Sequence, residues 1–111
     1  MFHGAPFNVK ESFGVEGYPC AWGISGLQHL KARRNAVAVD RLLGAGGVLL
    51  GGTNVPRLLM DGQAFNEFYG TSNNLWDLTR TPGGSSGGSS ASLAAGMAFL
   101  SVGSDIGGSI R

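Results

Sequence analysis

A single cysteine, Cys20, and two histidines, His3 and His29, are all the chain offers of the side chains that most often bind metals or build covalent bridges. One cysteine excludes an internal disulfide and a cysteine-based zinc site. Neither histidine follows a glycine–serine turn, so a serine-histidine-acid arrangement finds no base in these residues. Charge is scarce as well: 14% of residues are charged and the net charge is +1. That leaves no electrostatic footprint for nucleic acid or an anionic membrane. No apolar run is long enough to span a bilayer, and the residues after Met1 lack a basic-then-apolar signal pattern. The expectation is a cytoplasmic protein with no direct nucleic-acid partner, no membrane contact, no metal and no cofactor. Oligomeric state leaves no readable trace, so a homo-oligomer stays open.

What the chain has in excess is glycine, 20 in 111 residues. The glycines gather at 44–52, 83–88 and 103–108, between segments that read as regular structure. Glycine supplies backbone conformations and close approaches that other residues cannot. Residues 4–9 carry Ala5, Phe7 and Val9 on alternate positions and predict a strand running up to Lys10, followed by a loop over 11–25. Residues 35–43 place Ala36, Val39, Leu42 and Leu43 at helical spacing, with Asn35 as N-cap and Gly44 and Gly46 as terminators. Residues 48–50 predict a short buried strand, and 56–69 a helical turn. The Ala/Leu-rich stretch 89–98 predicts a helix apolar on nearly every face, hence buried. Residues 99–102 predict another strand, leading into Gly103-Ser104-Asp105-Ile106-Gly107-Gly108-Ser109. Alternating strands and helices indicate an α/β fold, with the hydrophobic 42% of the chain enough for one modest core.

The glycine–serine turns admit several chemistries. Gly84-Ser85-Ser86-Gly87-Gly88 matches a nucleophile elbow literally, but no acid and histidine follow it. Gly83 and Gly88 have phosphate-loop spacing, yet Ser89 stands where the lysine belongs, and no dinucleotide fingerprint fits around Gly44. A Gly/Ser run alone is most often a flexible linker. Here Thr81-Pro82 precedes it and an apolar helix follows, which leaves no freedom for a tether. A second glycine–serine turn at 107–109 lies beyond the same helix and strand. Two such turns can converge on one point.

Asn73-Asn74-Leu75-Trp76-Asp77, Thr81-Pro82-Gly83-Gly84-Ser85-Ser86-Gly87-Gly88, Ala94-Ala95-Gly96 and Gly103 to Arg111 together resemble the amidase signature. Pro6-Phe7-Asn8-Val9-Lys10-Glu11 resembles that family's lysine strand, and Gly51-Gly52-Thr53-Asn54 and Phe68-Tyr69-Gly70 sit where it has similar segments. The resemblance covers essentially the whole chain. It implies a mixed central sheet covered by helices and a Ser–cis-Ser–Lys triad. Ser109 matches the nucleophile, Ser85 the bridging serine whose preceding peptide bond is cis, and Lys10 the base. The backbone N–H groups of Ile106, Gly107, Gly108 and Ser109 match an oxyanion hole. Asp105 and Arg111 match loop-holding motif residues, and Ser86 a supporting hydrogen-bonding group, although adjacent serines can trade roles and only family position favours Ser85 for the bridge. The implied activity is hydrolysis of a small-molecule carboxylic amide through a serine acyl-enzyme, releasing ammonia or an amine. Alternatives are the amidase component of a glutamine-dependent tRNA amidotransferase and a non-catalytic glycine-rich scaffold. The segment 55–61 resembles the stand-alone amidases more.

The residue chemistry is consistent with that assignment. A serine hydroxyl needs a base within hydrogen-bond reach, and lysine serves only when neutral, which requires desolvation. Phe7 and Val9 are expected to supply an apolar surround for Lys10, with Glu11 turned to the other strand face. Lys31 lies in a solvated Lys31-Ala32-Arg33-Arg34 stretch and is a poor rival. Cys20, Trp22 and Trp76 read as packing residues. Two departures stand out: Gly52 occupies a position where the family often has lysine or arginine, and Leu75 replaces a common proline. Family catalytic domains run several times longer, so residues 1–111 are expected to form a partial amidase-signature catalytic domain, truncated and with no activity assured on its own.

Overall fold

The computed structural model describes all 111 residues. Strand β1 (Pro6–Lys10) lies at the centre of a three-stranded parallel sheet, between β2 (Val48–Thr53) and β5 (Leu100–Val102). A separate two-stranded antiparallel pair is formed by β3 (Phe65–Asn66) and β4 (Gly70–Thr71). Helix α1 (Val37–Gly44) lies between β1 and β2 in sequence, and helix α2 (Gly87–Ala94) precedes β5. This is the α/β layering that the alternation of elements predicts.

The two faces of β1 differ in chemistry. Phe7 and Val9 are fully buried and pack with Val15 and with Val39 of α1. Asn8 and Lys10 point the other way, as strand alternation requires. Asn8 Nδ2 donates to Ser92 Oγ of α2 at 2.7 Å, and the Thr53 and Ser89 hydroxyls lie 2.8 Å apart. The seam between α2 and the sheet is therefore built from small polar groups that bond to one another, with Asn8 Oδ1 buried there without a partner.

That seam corrects the expectation for the second helix. It starts at Gly87 and ends at Ala94, with Gly96 at φ 67° closing it. Its buried residues are Gly87, Gly88, Ser89 and Ser92, whereas Leu93 and Met97 are exposed. Small residues face the sheet because the backbones run close. A Cβ on Gly88 would collide with the backbone nitrogen and oxygen of Asn54.

Other boundaries also move. Helix α1 is capped by Ala36 without a side-chain bond. Asn35 instead accepts the Glu16 N–H at 2.8 Å and donates to Asp40, tying the preceding loop to the first turn. β2 extends to Thr53, and Val48 and Leu50 are half exposed because they alternate with Leu49, which packs on the core, and so point to the other face of the sheet. Between residues 56 and 69 there is a single 3-10 turn, Arg57–Leu59, before the β3–β4 pair. No helix is long and apolar enough to cross a membrane.

Candidate active site

Lys10 ends β1 on the polar face and is 1% exposed. Its Nζ donates to Ser85 Oγ at 2.6 Å, to Ser104 Oγ at 3.0 Å and to the Ser104 carbonyl at 3.2 Å. Ser85, 2% exposed, precedes α2, and the Gly84–Ser85 peptide bond is cis. Ser85 Oγ in turn donates to Ser109 Oγ at 3.0 Å. Three side chains separated by 75 and 24 positions thus form one continuous hydrogen-bonded series.

Ser86 does a different job. Its N–H donates to the Ser109 carbonyl at 3.2 Å and its hydroxyl to the Ser104 carbonyl at 3.2 Å, lacing the two glycine–serine turns together. Of the adjacent serines, Ser85 is the one that lies between Lys10 and Ser109.

Asp105 organises the turn that ends in Ser109. Its carboxylate accepts the Gly108 N–H at 2.5 Å, the Ile110 N–H at 3.3 Å and the Arg111 Nε at 3.1 Å. The Gly108 N–H, followed by Arg111 and the neighbouring amides, holds its pKa down to about 2. The N–H groups of Ile106 and Gly107 make no hydrogen bond within the chain, and the Ile106 side chain is fully exposed. Burial pulls the Lys10 pKa below its ordinary value, and the negative charge of Asp105 opposes that pull.

The apolar surround expected from Phe7 and Val9 is not what encloses Lys10. Both lie on the opposite face of β1, and the amine is wrapped by serines and loop backbone. Glu11 does turn away from the site: its Oε1 accepts the Ala21 N–H at 3.3 Å, its Oε2 has no partner, and burial pushes its carboxyl pKa up.

The series opens into a cleft of about 980 Å³ with Lys10, Ser85 and Ser109 among its lining residues. Trp22, Leu58, Leu59 and Met60 also line it. Trp22, Leu58 and Leu59 have φ of 53°, 53° and 61°, the left-handed region that bulky residues seldom occupy. The two loops are strapped together by the Leu58 N–H donating to the Trp22 carbonyl at 2.8 Å. Trp22 therefore belongs to a cleft wall, where the sequence points only to packing; its spacing carries no signal for the cleft. Ser104 is also invisible to sequence reasoning as a site residue, although it stands inside the 103–109 turn. Trp76 is largely exposed.

Comparison with known proteins identifies the family and the fold. The amidase family model matches residues 1–111. The chain is 47% identical to an acylamidase of Rhodococcus erythropolis, covering 98% of this chain and 23% of that protein. It is 46% identical to fatty-acid amide hydrolase 2 of Homo sapiens, covering 99% and 21%. A glutamyl-tRNA(Gln) amidotransferase subunit of Methanosarcina acetivorans is 44% identical, covering 97% and 23%. The structure of 6-aminohexanoate cyclic dimer hydrolase superposes with a TM-score of 0.92 at 35% identity, over 96% of this chain and 23% of that one. The chain thus spans less than a quarter of the length of these relatives, yet that span holds the lysine strand, both glycine–serine turns and the helix between them. A family match along every residue, together with the shared fold, places the chain in the amidase family.

Proposed function

We propose that residues 1–111 form part of the catalytic domain of an amide-bond hydrolase, and that Ser109, Ser85 and Lys10 are its catalytic residues. The observation that carries this reading is the unbroken series from Lys10 Nζ through Ser85 Oγ to Ser109 Oγ, at 2.6 and 3.0 Å, starting from a buried amine. In the neutral state the lysine accepts the Ser85 proton while Ser85 accepts that of Ser109. Ser109 Oγ then bonds to the amide carbonyl carbon, and the carbonyl π electrons move to oxygen. Lys10 then returns its proton through Ser85 to the leaving nitrogen as the carbonyl re-forms and the C–N bond breaks, releasing ammonia or an amine. Water, deprotonated through Ser85 and Lys10, adds to the acyl carbon, and the proton passes back to Ser109 Oγ as the acyl C–O bond breaks, freeing the carboxylic acid.

The developing oxyanion needs preorganised donors. Among the backbone groups of 106–109, the Ile106 and Gly107 N–H groups are free to serve, while those of Gly108 and Ser109 face the Asp105 carboxylate. Asp105 and Arg111 hold the turn in place. The apolar cleft wall suits an amide carrying an apolar group, in keeping with the names acylamidase and fatty-acid amide hydrolase 2. A second reading, one component of an amidotransferase working with a partner, rests on the 44% identity to such a protein and uses the same three residues.

A serine-reactive fluorophosphonate tests the assignment in the intact protein. The adduct is expected on Ser109, located by peptide mass spectrometry, and absent from Lys10→Ala. A folded protein that forms no adduct would leave only the scaffold reading.

A further inference from the structure

We propose that Ser104 is a positioning residue that aims the lone pair of Lys10 at Ser85. The inference rests on the reading of Lys10 as base and adds a residue to it. A neutral amine has two N–H bonds and one lone pair, arranged tetrahedrally, and rotation about its terminal C–N bond costs little. Burial alone does not choose where the lone pair points. The neighbours of Nζ do.

Nζ has three oxygen neighbours: Ser85 Oγ, Ser104 Oγ and the Ser104 carbonyl. The carbonyl has no hydrogen to give, so it always takes an N–H. Its own position is fixed by the Ser86 hydroxyl, which donates to it at 3.2 Å. If the Ser104 hydroxyl takes the second N–H, the lone pair is left with one direction. That direction is Ser85, at 2.6 Å the shortest of the three contacts. After proton transfer the ammonium has three N–H bonds, and the same three oxygens accept all of them. Ser104 therefore serves both protonation states without moving.

The charged group facing Lys10 is Asp105, next to Ser104 in the same turn. Glu11 lies across β1, and α2 presents glycine and serine to this face. Removing the Ser104 hydroxyl takes away an acceptor that favours the charged amine, so the amine loses its proton more readily. The loss also frees the amine to turn its lone pair away from Ser85. The two consequences have opposite effects on rate, which separates them from simple damage to the fold.

The test is the pH dependence of fluorophosphonate adduct formation in the intact protein, for wild type, Ser104→Ala, Ser104→Thr and Lys10→Ala. For Ser104→Ala the plateau rate is expected to fall about tenfold, part of the factor of about 10²–10⁴ that positioned acid–base groups contribute. Its acid limb is expected to move to lower pH, and Ser104→Thr is expected to restore both. A Ser104→Ala profile matching wild type overturns the inference. So does a lower plateau with an unmoved limb that threonine does not restore. Should Lys10→Ala react like wild type, the base assignment falls and this inference with it. An inactive Lys10→Ala beside an unaltered Ser104→Ala overturns the inference alone.

Discussion

Lys10 experiences two opposed influences, and their order sets its use. Burial acts more strongly and lowers its pKa, while Asp105 raises it. Activity that needs the neutral amine should therefore rise with pH along a limb centred below the free-lysine value of 10.5. Measuring kcat/KM against pH checks the direction, and a limb at or above that value contradicts it. Glu11 makes the opposite kind of prediction, about stability. Burial raises its pKa above 4.5, so the folded state holds the proton more tightly than the unfolded chain does. Its contribution is fully present below the unfolded value and declines as pH rises through the folded one. Glu11→Gln should remove that decline, making the variant more resistant to urea than wild type at pH 8 and little different at pH 4. Equal wild-type and variant midpoints at pH 8 would contradict the argument. Lys10 and Ser109 can be found in the sequence because each sits in its own ordered motif. Ser104 cannot, because its role depends on which oxygen lies nearest one nitrogen, and no spacing encodes that.

The elements matter through how closely they approach. Helix α2 carries Ser85 and Ser86 at its entrance and lies against the sheet through glycine and serine. At Gly88 there is no room for a methyl group, since even the Cα of Asn54 lies only 2.9 Å from where it would sit and the backbone nitrogen and oxygen lie closer still. Gly88→Ala should force the helix away from β2 and destabilise the protein by about 1–3 kcal/mol. Chemical denaturation measures the loss, and adduct formation at Ser109 should slow along with it as Ser85 moves. A variant as stable as wild type would mean the helix has more freedom than this contact allows. The same closeness accounts for the difference from the longer, apolar-faced helix that composition predicts. Composition points to Ala and Leu as the covered face, whereas the contact surface is chosen by the smallest residues, which let polar partners such as Asn8 and Ser92 meet.

At the scale of the molecule, a parallel sheet is ordinarily covered on both faces and extended at its edges. Here β2 and β5 are both edges, and Val48, Leu50, Met97 and Phe99 are exposed. Exposed apolar side chains on this scale favour association. The 111-residue chain by itself is expected to elute in size-exclusion chromatography above its mass of 11.4 kDa, and Val48→Lys with Leu50→Lys to lower the apparent size. Elution of the unmodified chain as a monomer would contradict this. Two kinds of information meet in the molecule. Residue order alone established the layering, the family, the two glycine–serine turns and the two ends of the series, Lys10 and Ser109, because local periodicity and a long ordered motif survive in one dimension. Three-dimensional packing settled which face of β1 holds Lys10, what wraps its amine, which of two adjacent serines lies in line with Ser109, and that Trp22 walls the cleft. Those outcomes depend on distances between segments dozens of residues apart, and such distances exist only once the backbones have packed.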